Sequence, residues 1–223
     1  MLDMGETQHS REDNVPQDMV TRFQDNYRDR AIAADAIFYY VYGLLHSPGY
    51  KTRFASDLKK MLPRLPLVES PDDFSRFSEA GQALAELHVG YEDVEGWPLT
   101  IRSLGTDLRS VPDQAGQCYR VHKMRFGGSF KAPDKTVIRY NDHLTVEGIP
   151  LEACQYVVNG KSAIEWIMDR YQVTQHPDSK IVNDPNEWSD DPRYILELLQ
   201  KVVTVSMRTV EIVSTLPELD ISE

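Results

Sequence analysis

At 223 residues the chain fits one large domain or two small ones, and its 41% apolar content is enough to bury a core. A formal net charge of −11 argues against a free-standing nucleic-acid binder, because phosphate contacts normally demand an excess of Lys and Arg. No apolar run reaches the roughly 18 residues of a membrane helix, and charges at Asp3, Glu6, Arg11, Glu12 and Asp13 break any signal-peptide apolar region, so a soluble, cytoplasmic protein that meets no membrane is expected.

Residues 1–30 are polar and charge-rich and read as a loose lead-in or linker, with the core starting near Ala31. From Asp35 to His46 the apolar residues Ile37, Tyr40, Val41, Leu44 and Leu45 fall at helical spacing, which predicts a helix facing a core. Ser47-Pro48 is a helix-start signature and predicts a second helix to about Met61, ended by Pro63 and Pro66. Ser70-Pro71 repeats the signal for a third helix, from about Asp72 to His88, that stops at Gly90.

Between Tyr91 and Asp113 the chain loses helical period and reads as irregular. Three segments then look like antiparallel strands, Tyr119 to Phe126, Lys135 to Tyr140 and His143 to Val146, bounded by Gly127-Gly128, Pro133-Asp134, Asn141-Asp142 and Gly148. Tyr156 to Val158 has strand propensity, Asn159-Gly160 supplies a turn, and Ile164, Ile167, Met168 and Tyr171 predict an amphipathic helix from Ser162 to Gln172. A polar loop with Pro177 and Pro185 leads to a last helix, capped by Asp191 with Pro192 in first position, that runs to about Ser214. The fold class that follows is α+β: an N-terminal helical part (31–90), then a central, mostly antiparallel sheet with C-terminal helices packed on it (91–216), and a tail at 217–223. The cysteines at 118 and 154 have neither metal-site spacing nor a second pair, so reduced thiols are expected.

Two stretches carry a resemblance: Tyr156-Val-Val-Asn-Gly-Lys-Ser-Ala-Ile-Glu-Trp-Ile-Met-Asp-Arg-Tyr-Gln172 and Val182-Asn-Asp-Pro-Asn-Glu-Trp-Ser-Asp-Asp-Pro-Arg-Tyr194. With Ile37 to Tyr50, Leu58 to Leu67, Phe77 to His88, Tyr119 to Arg125 and Ile138 to Asp142 in the same order, they resemble the C-terminal specificity, or target-recognition, domain of type ISP single-polypeptide restriction-modification enzymes. The likeness runs from about Ala36 to Leu216. In that family one polypeptide carries a nuclease, a helicase-like ATPase, an adenine methyltransferase and, last, this domain. The resemblance implies recognition of double-stranded DNA at the site where the methyltransferase flips an adenine. The chain has no Gly-rich methyl-donor loop, no Asn-Pro-Pro-Tyr type motif and no helicase motifs. The implication is a non-catalytic part, excised from a longer enzyme or working with methyltransferase and helicase domains in cis or as a separate chain. S-adenosylmethionine, ATP and Mg²⁺ are then expected only in those other domains, with no cofactor here. The alternative, which the acidic balance favours, is a protein-interaction module that docks on such a partner without reading DNA.

The acid is uneven, and from Arg120 to Lys135 the chain holds one acid, Asp134, among several bases. Charge and turn placement, and not the family, put a DNA-binding face on Arg120, Lys123, Arg125, Lys131, Lys135 and Arg139, with Lys161 near a helix start where phosphate is favoured. No catalytic or metal residue is assigned. Gly160-Lys161-Ser162 imitates the end of a phosphate loop, but Gln155 stands where that loop needs glycine, so a helix start is the better account. Pro133-Asp134 with Asp178-Ser-Lys180 has the residue types of a metal-dependent nuclease, but the second half sits in a polar loop. His88, His122 and His143 lack a placed nucleophile. Tyr39, Tyr40 and Tyr42 fit core packing better than base stacking. Asn183 to Asp191 fits turn and cap chemistry better than a cation loop, because it lacks the spacing and the glycine.

Overall fold

The structure, a computed structural model, describes residues 14–61, 63–103 and 115–221. The chain divides after Ala85 and again after Ser214 into two compact units, the first of which takes in the residues that follow Ser214.

The first unit is helical around one aromatic core. Helix α1 (Gln17–Tyr27) buries Val20, Phe23 and Tyr27 at helical spacing and ends on Arg28 in the left-handed conformation. Its presence differs from the expected lead-in over 1–30. Three well-spaced large side chains suffice for a core face even where the segment is polar on average, while residues 1–13 lie outside those described. Helix α2 (Ala34–His46) buries Ile37, Tyr40 and Leu44 as its spacing predicts, and the Tyr40 hydroxyl donates to the Pro66 carbonyl at 2.7 Å. The Ser47 hydroxyl then accepts the Tyr50 N–H, with Pro48 in the first turn of α3 (Pro48–Arg53). The single helix expected up to Met61 is broken at Phe54, which leaves helical backbone with its ring 4.9 Å from that of Tyr50, and restarts as α4 (Ala55–Lys59).

Helix α5 (Pro71–Val89) brings Phe74 and Phe77 to the same core. It crosses α2 at backbone contact: a Cβ on Gly81 would stand 1.8 Å from the Tyr39 carbonyl oxygen, and one on Gly43 would stand 2.2 Å from that of Phe77. The expected tail is packed through its described residues. Ile221 bridges Val68, and Leu216, Leu219 and Ile221 lie against the core.

The second unit carries the sheet. Strands β1 (Thr100–Ser103), β2 (Arg125–Ser129), β3 (Ala132–Arg139) and β4 (Leu144–Glu147) form an antiparallel sheet in the order β1-β4-β3-β2; helix α6 (Ala115–Tyr119) precedes β2 in the chain. Strand β1 falls in the stretch read as irregular. Gly127-Gly128 and Pro133-Asp134, expected to bound strands, lie inside β2 and β3, and the turn is Phe130-Lys131. The glycines serve a bulge instead: the register shifts between Phe126 and Gly127, and Gly128 has φ +70°, where a Cβ would meet the Ala132 carbonyl oxygen at 2.5 Å.

Ile101, Val146, Ile138 and Phe126 are cross-strand partners in one row. They face a core closed by a 3₁₀ turn at Leu151–Gln155 and by the next two helices. Val157–Val158 (β5) and Lys161–Ser162 (β6) make a hairpin whose turn residues Asn159 and Gly160 have φ +50° and +82°, the primed geometry that sequence predicts. Helix α7 (Ala163–Arg170) starts on a capping box: Ser162 caps the Glu165 N–H, and the Glu165 carboxylate accepts from the Ser162 N–H. A second hairpin, β7 (Thr174–Gln175) with β8 (Val182–Asn183), leads through a 3₁₀ turn at Pro185–Glu187 to helix α8 (Tyr194–Ser214). Residues Leu196, Leu199 and Val203 of α8 close the core with Ile164 and Met168 of α7. The whole is α+β.

Candidate functional site

The candidate site is the opposite face of the sheet. Side chains alternate along a strand and cross-strand partners share a face, so the register puts Arg125, Arg139, Thr145 and Arg102 in one row across β2, β3, β4 and β1. Arg125 and Arg139 are exposed, and neither has an ion pair among the described residues. Arg102 donates from Nε to Glu147 at 2.6 Å, which holds its guanidinium beside the row. A shallow depression beside them is lined by Gly127, Asp134, Val137, Arg139, Asp142 and Thr145. The Asp134 carboxylate accepts from the Thr136 hydroxyl at 2.6 Å and N–H at 2.9 Å, bonds that hold its pKa below the usual carboxylate value.

The seven basic residues singled out from sequence separate into two groups. Lys123, ahead of β2, and Lys131, at the β2–β3 turn, are exposed like Arg125 and Arg139. The other three are tied into the scaffold. Arg120 pairs with Asp184. Lys135 turns to the core side, 3.2 Å from Glu165 of α7 and over the Phe126 ring at 5.4 Å. Lys161 sits on the β5–β6 hairpin, paired with Asp169 and over the Trp166 ring at 5.2 Å. The helix start beside Lys161, expected to favour phosphate, is already filled by the Ser162 and Glu165 capping box. Arg102 joins the row although its segment reads as irregular. The alternation Leu99, Ile101 against Thr100, Arg102 is the sequence signal for it.

Two asparagines hold the backbone that carries Arg120. Asn186 accepts the Val121 N–H at 2.8 Å and donates to its carbonyl at 2.9 Å, and Asn141 donates to the carbonyls of Cys118 and Arg120. Burial opposes ionisation of Asp184, yet hydrogen bonds from Asn186 and the charge of Arg120 hold its carboxyl below the usual range. Glu165 behaves alike: burial pushes its pKa up, but Ser162 and Lys135 outweigh it and the net shift is down.

The competing motifs resolve into structure. Gly160-Lys161-Ser162 is a hairpin and a helix cap, and Asp184 and Asp191 accept the backbone N–H groups of Asn186 and Arg193. His88 stacks on Tyr156 at 5.2 Å and shares a 2.9 Å hydrogen bond with Thr209. Both cysteines are free thiols. Among the described residues no cluster of three His, Cys, Asp or Glu side chains is placed to hold a metal ion, and no helix is long and apolar enough to cross a membrane.

The family model of the type ISP C-terminal specificity domain matches residues 2–198. No curated protein matches the chain. Among solved structures the chain is similar to a nuclease-deletion mutant of the type ISP restriction-modification enzyme LlaGI in complex with a DNA substrate mimic, at 45% identity and a TM-score of 0.71, over 86% of this chain and 14% of that one. It is similar to the ATP-dependent type ISP restriction-modification enzyme LlaBIII bound to DNA, at 36% identity and a TM-score of 0.74, over 91% of this chain and 12% of that one. A DrdV-DNA complex matches at 29% identity and a TM-score of 0.73, over 90% of this chain and 19% of that one. The chain thus corresponds to less than a fifth of the length of each of these three.

Proposed function

The chain belongs to the type ISP C-terminal specificity domain family, and from that premise we propose that it selects a sequence in double-stranded DNA for a type ISP restriction-modification enzyme. It takes no chemical step itself. Adenine methylation, translocation and cleavage, with their S-adenosylmethionine, ATP and Mg²⁺, fall to methyltransferase and helicase domains in cis or on a separate chain.

One observation carries the reading: on a chain of net charge −11, Arg125 and Arg139 are held side by side and solvent-facing on a sheet whose other face is core. Paired arginines that form no ion pair among the described residues favour phosphate, and guanidinium groups match the guanine edge in the major groove. The neighbouring carboxylates Asp134 and Asp142 suit acceptance from a cytosine amino group. Four of the seven sequence-derived residues, Lys123, Arg125, Lys131 and Arg139, are assigned to DNA together with Arg102; Arg120, Lys135 and Lys161 are assigned to the scaffold.

The test is selection from a random-sequence duplex pool across a salt series, with the chain alone and with a methyltransferase part supplied separately. Enrichment of one short site, lost in the double variant R125E/R139E, is expected. Failure to enrich any site in either condition would replace this reading with the docking module.

A further inference from the structure

We infer that the β2–β3 hairpin enters the major groove tip first and that Phe130 reads the 5-methyl group of a thymine. This rests on the DNA-reading proposal and adds to it the identity of an element and of a base feature. Strand β4 pairs with β3 only from Val137 to Arg139, so beyond the bulge at Phe126/Gly127 the hairpin continues as a ribbon of two strands, Gly127–Ser129 against Ala132–Asp134. That ribbon is thin. Four of its six residues, Gly127, Gly128, Ser129 and Ala132, have side chains no larger than a hydroxymethyl, the other two being Pro133 and Asp134, whose carboxylate is turned onto Thr136. A groove about 12 Å wide admits two strands when little projects from them.

The ribbon is also rooted. Phe126 packs on the core at its base, and Lys135 is fixed there over the Phe126 ring and against Glu165. At the far end the two-residue turn places Phe130 with a relative exposure of 103%, beside exposed Lys131. A ring in that position contributes nothing to folding and has no hydrogen bond to offer. The one apolar feature on the major-groove edges of the bases is the thymine methyl, the partner that an apolar side chain takes there. Lys131 meets phosphate as the tip enters, and the arginine row follows on the same sheet.

The 223-residue chain, with the methyltransferase part present, is used to select from two duplex pools, one made with thymine and one with uracil, which pairs identically but lacks the methyl. Competition on the selected site is expected to show a preference for thymine over uracil at one position of about fourfold, the worth of burying one methyl group. F130A should lose that preference and F130L should keep part of it, both with the wild-type melting curve because the ring is fully exposed among the described residues. A preference unchanged in F130A, or no preference in the wild type on an enriched site, overturns the Phe130 assignment and leaves DNA reading standing. A wild type that enriches no site overturns both.

Discussion

Arg125 on β2 and Arg139 on β3 are direct cross-strand partners, two exposed like charges side by side with no ion pair to either among the described residues. Like charges so placed cost a sheet about 0.2–1 kcal/mol, so the fold bears the pair at a loss. Arg139→Thr should therefore raise stability by about 0.5 kcal/mol in urea melts at low salt, with the gain fading as salt screens the repulsion. The same variant should weaken duplex binding and reduce the salt slope by about 1. A variant that is less stable and binds equally well would deny that the pair is kept for a ligand.

Arg120 behaves in the opposite way. Its partner Asp184 has a side chain only 10% exposed, so Arg120→Ala removes the charge partner of a carboxylate that keeps its Asn186 hydrogen bonds and caps a 3₁₀ turn. A loss of about 1–3 kcal/mol is expected, the cost of leaving a buried group short of a partner, with little change in the affinity of the protein that remains folded. Melting curves and binding isotherms on one preparation separate the two effects, and lost affinity at full stability would move Arg120 to the DNA face.

The sequence made the local elements legible wherever one chemistry dominated a short stretch: Ser47-Pro48, Asn159-Gly160 and the periodic face of Ile37, Tyr40 and Leu44 all appear as read. It concealed elements whose signal is diluted. Helix α1 buries only Val20, Phe23 and Tyr27 among mostly polar residues, and β1 is four residues long. Gly127-Gly128 misleads because glycine signals positive φ, which a bulge within a strand uses as readily as a turn at its end. For the candidate site, residue type alone could not tell Arg125, unpaired among the described residues, from the paired Arg120 or Lys161. That distinction depends on Asp184 and Asp169, the first 64 residues away in sequence, and on a register that brings Arg102 and Arg139 into one row.

Acid should loosen the second unit chiefly through its two part-buried carboxylates of lowered pKa, Asp184 and Glu165. The folded-state pKa values of Asp184 and Glu165 lie below their usual ones, so the unfolded chain binds these protons first. Their contributions are whole above the unfolded values of about 3.9 and 4.3 and are lost as pH falls below them, through the folded values. Urea midpoints should drop in that range, and less steeply in the variant D184N/E165Q, which is weaker at neutral pH. Identical slopes for the two proteins would assign the acid response to other groups.

The crossing of α2 and α5 makes the sharpest stability prediction. A methyl group on Gly81 would stand 1.8 Å from the Tyr39 carbonyl oxygen, and 2.8 Å from the Gly43 nitrogen, so backbone and not a flexible side chain has to move. The two helices must part by more than 1 Å, roughly the difference between that 1.8 Å and an ordinary contact, which also opens the packing of Tyr40 on Phe77, whose rings are 6.0 Å apart. Gly81→Ala should cost about 3 kcal/mol or more, the upper range for overpacking. The matched control is Gly160→Ala, where φ is +82° but no other described residue lies within 4 Å of the added carbon; it should cost about 1 kcal/mol, from backbone strain alone. Hydrogen exchange of the α2 amides reads the first effect directly, and exchange in G81A no faster than in G160A would mean that the helices have room this structure denies them.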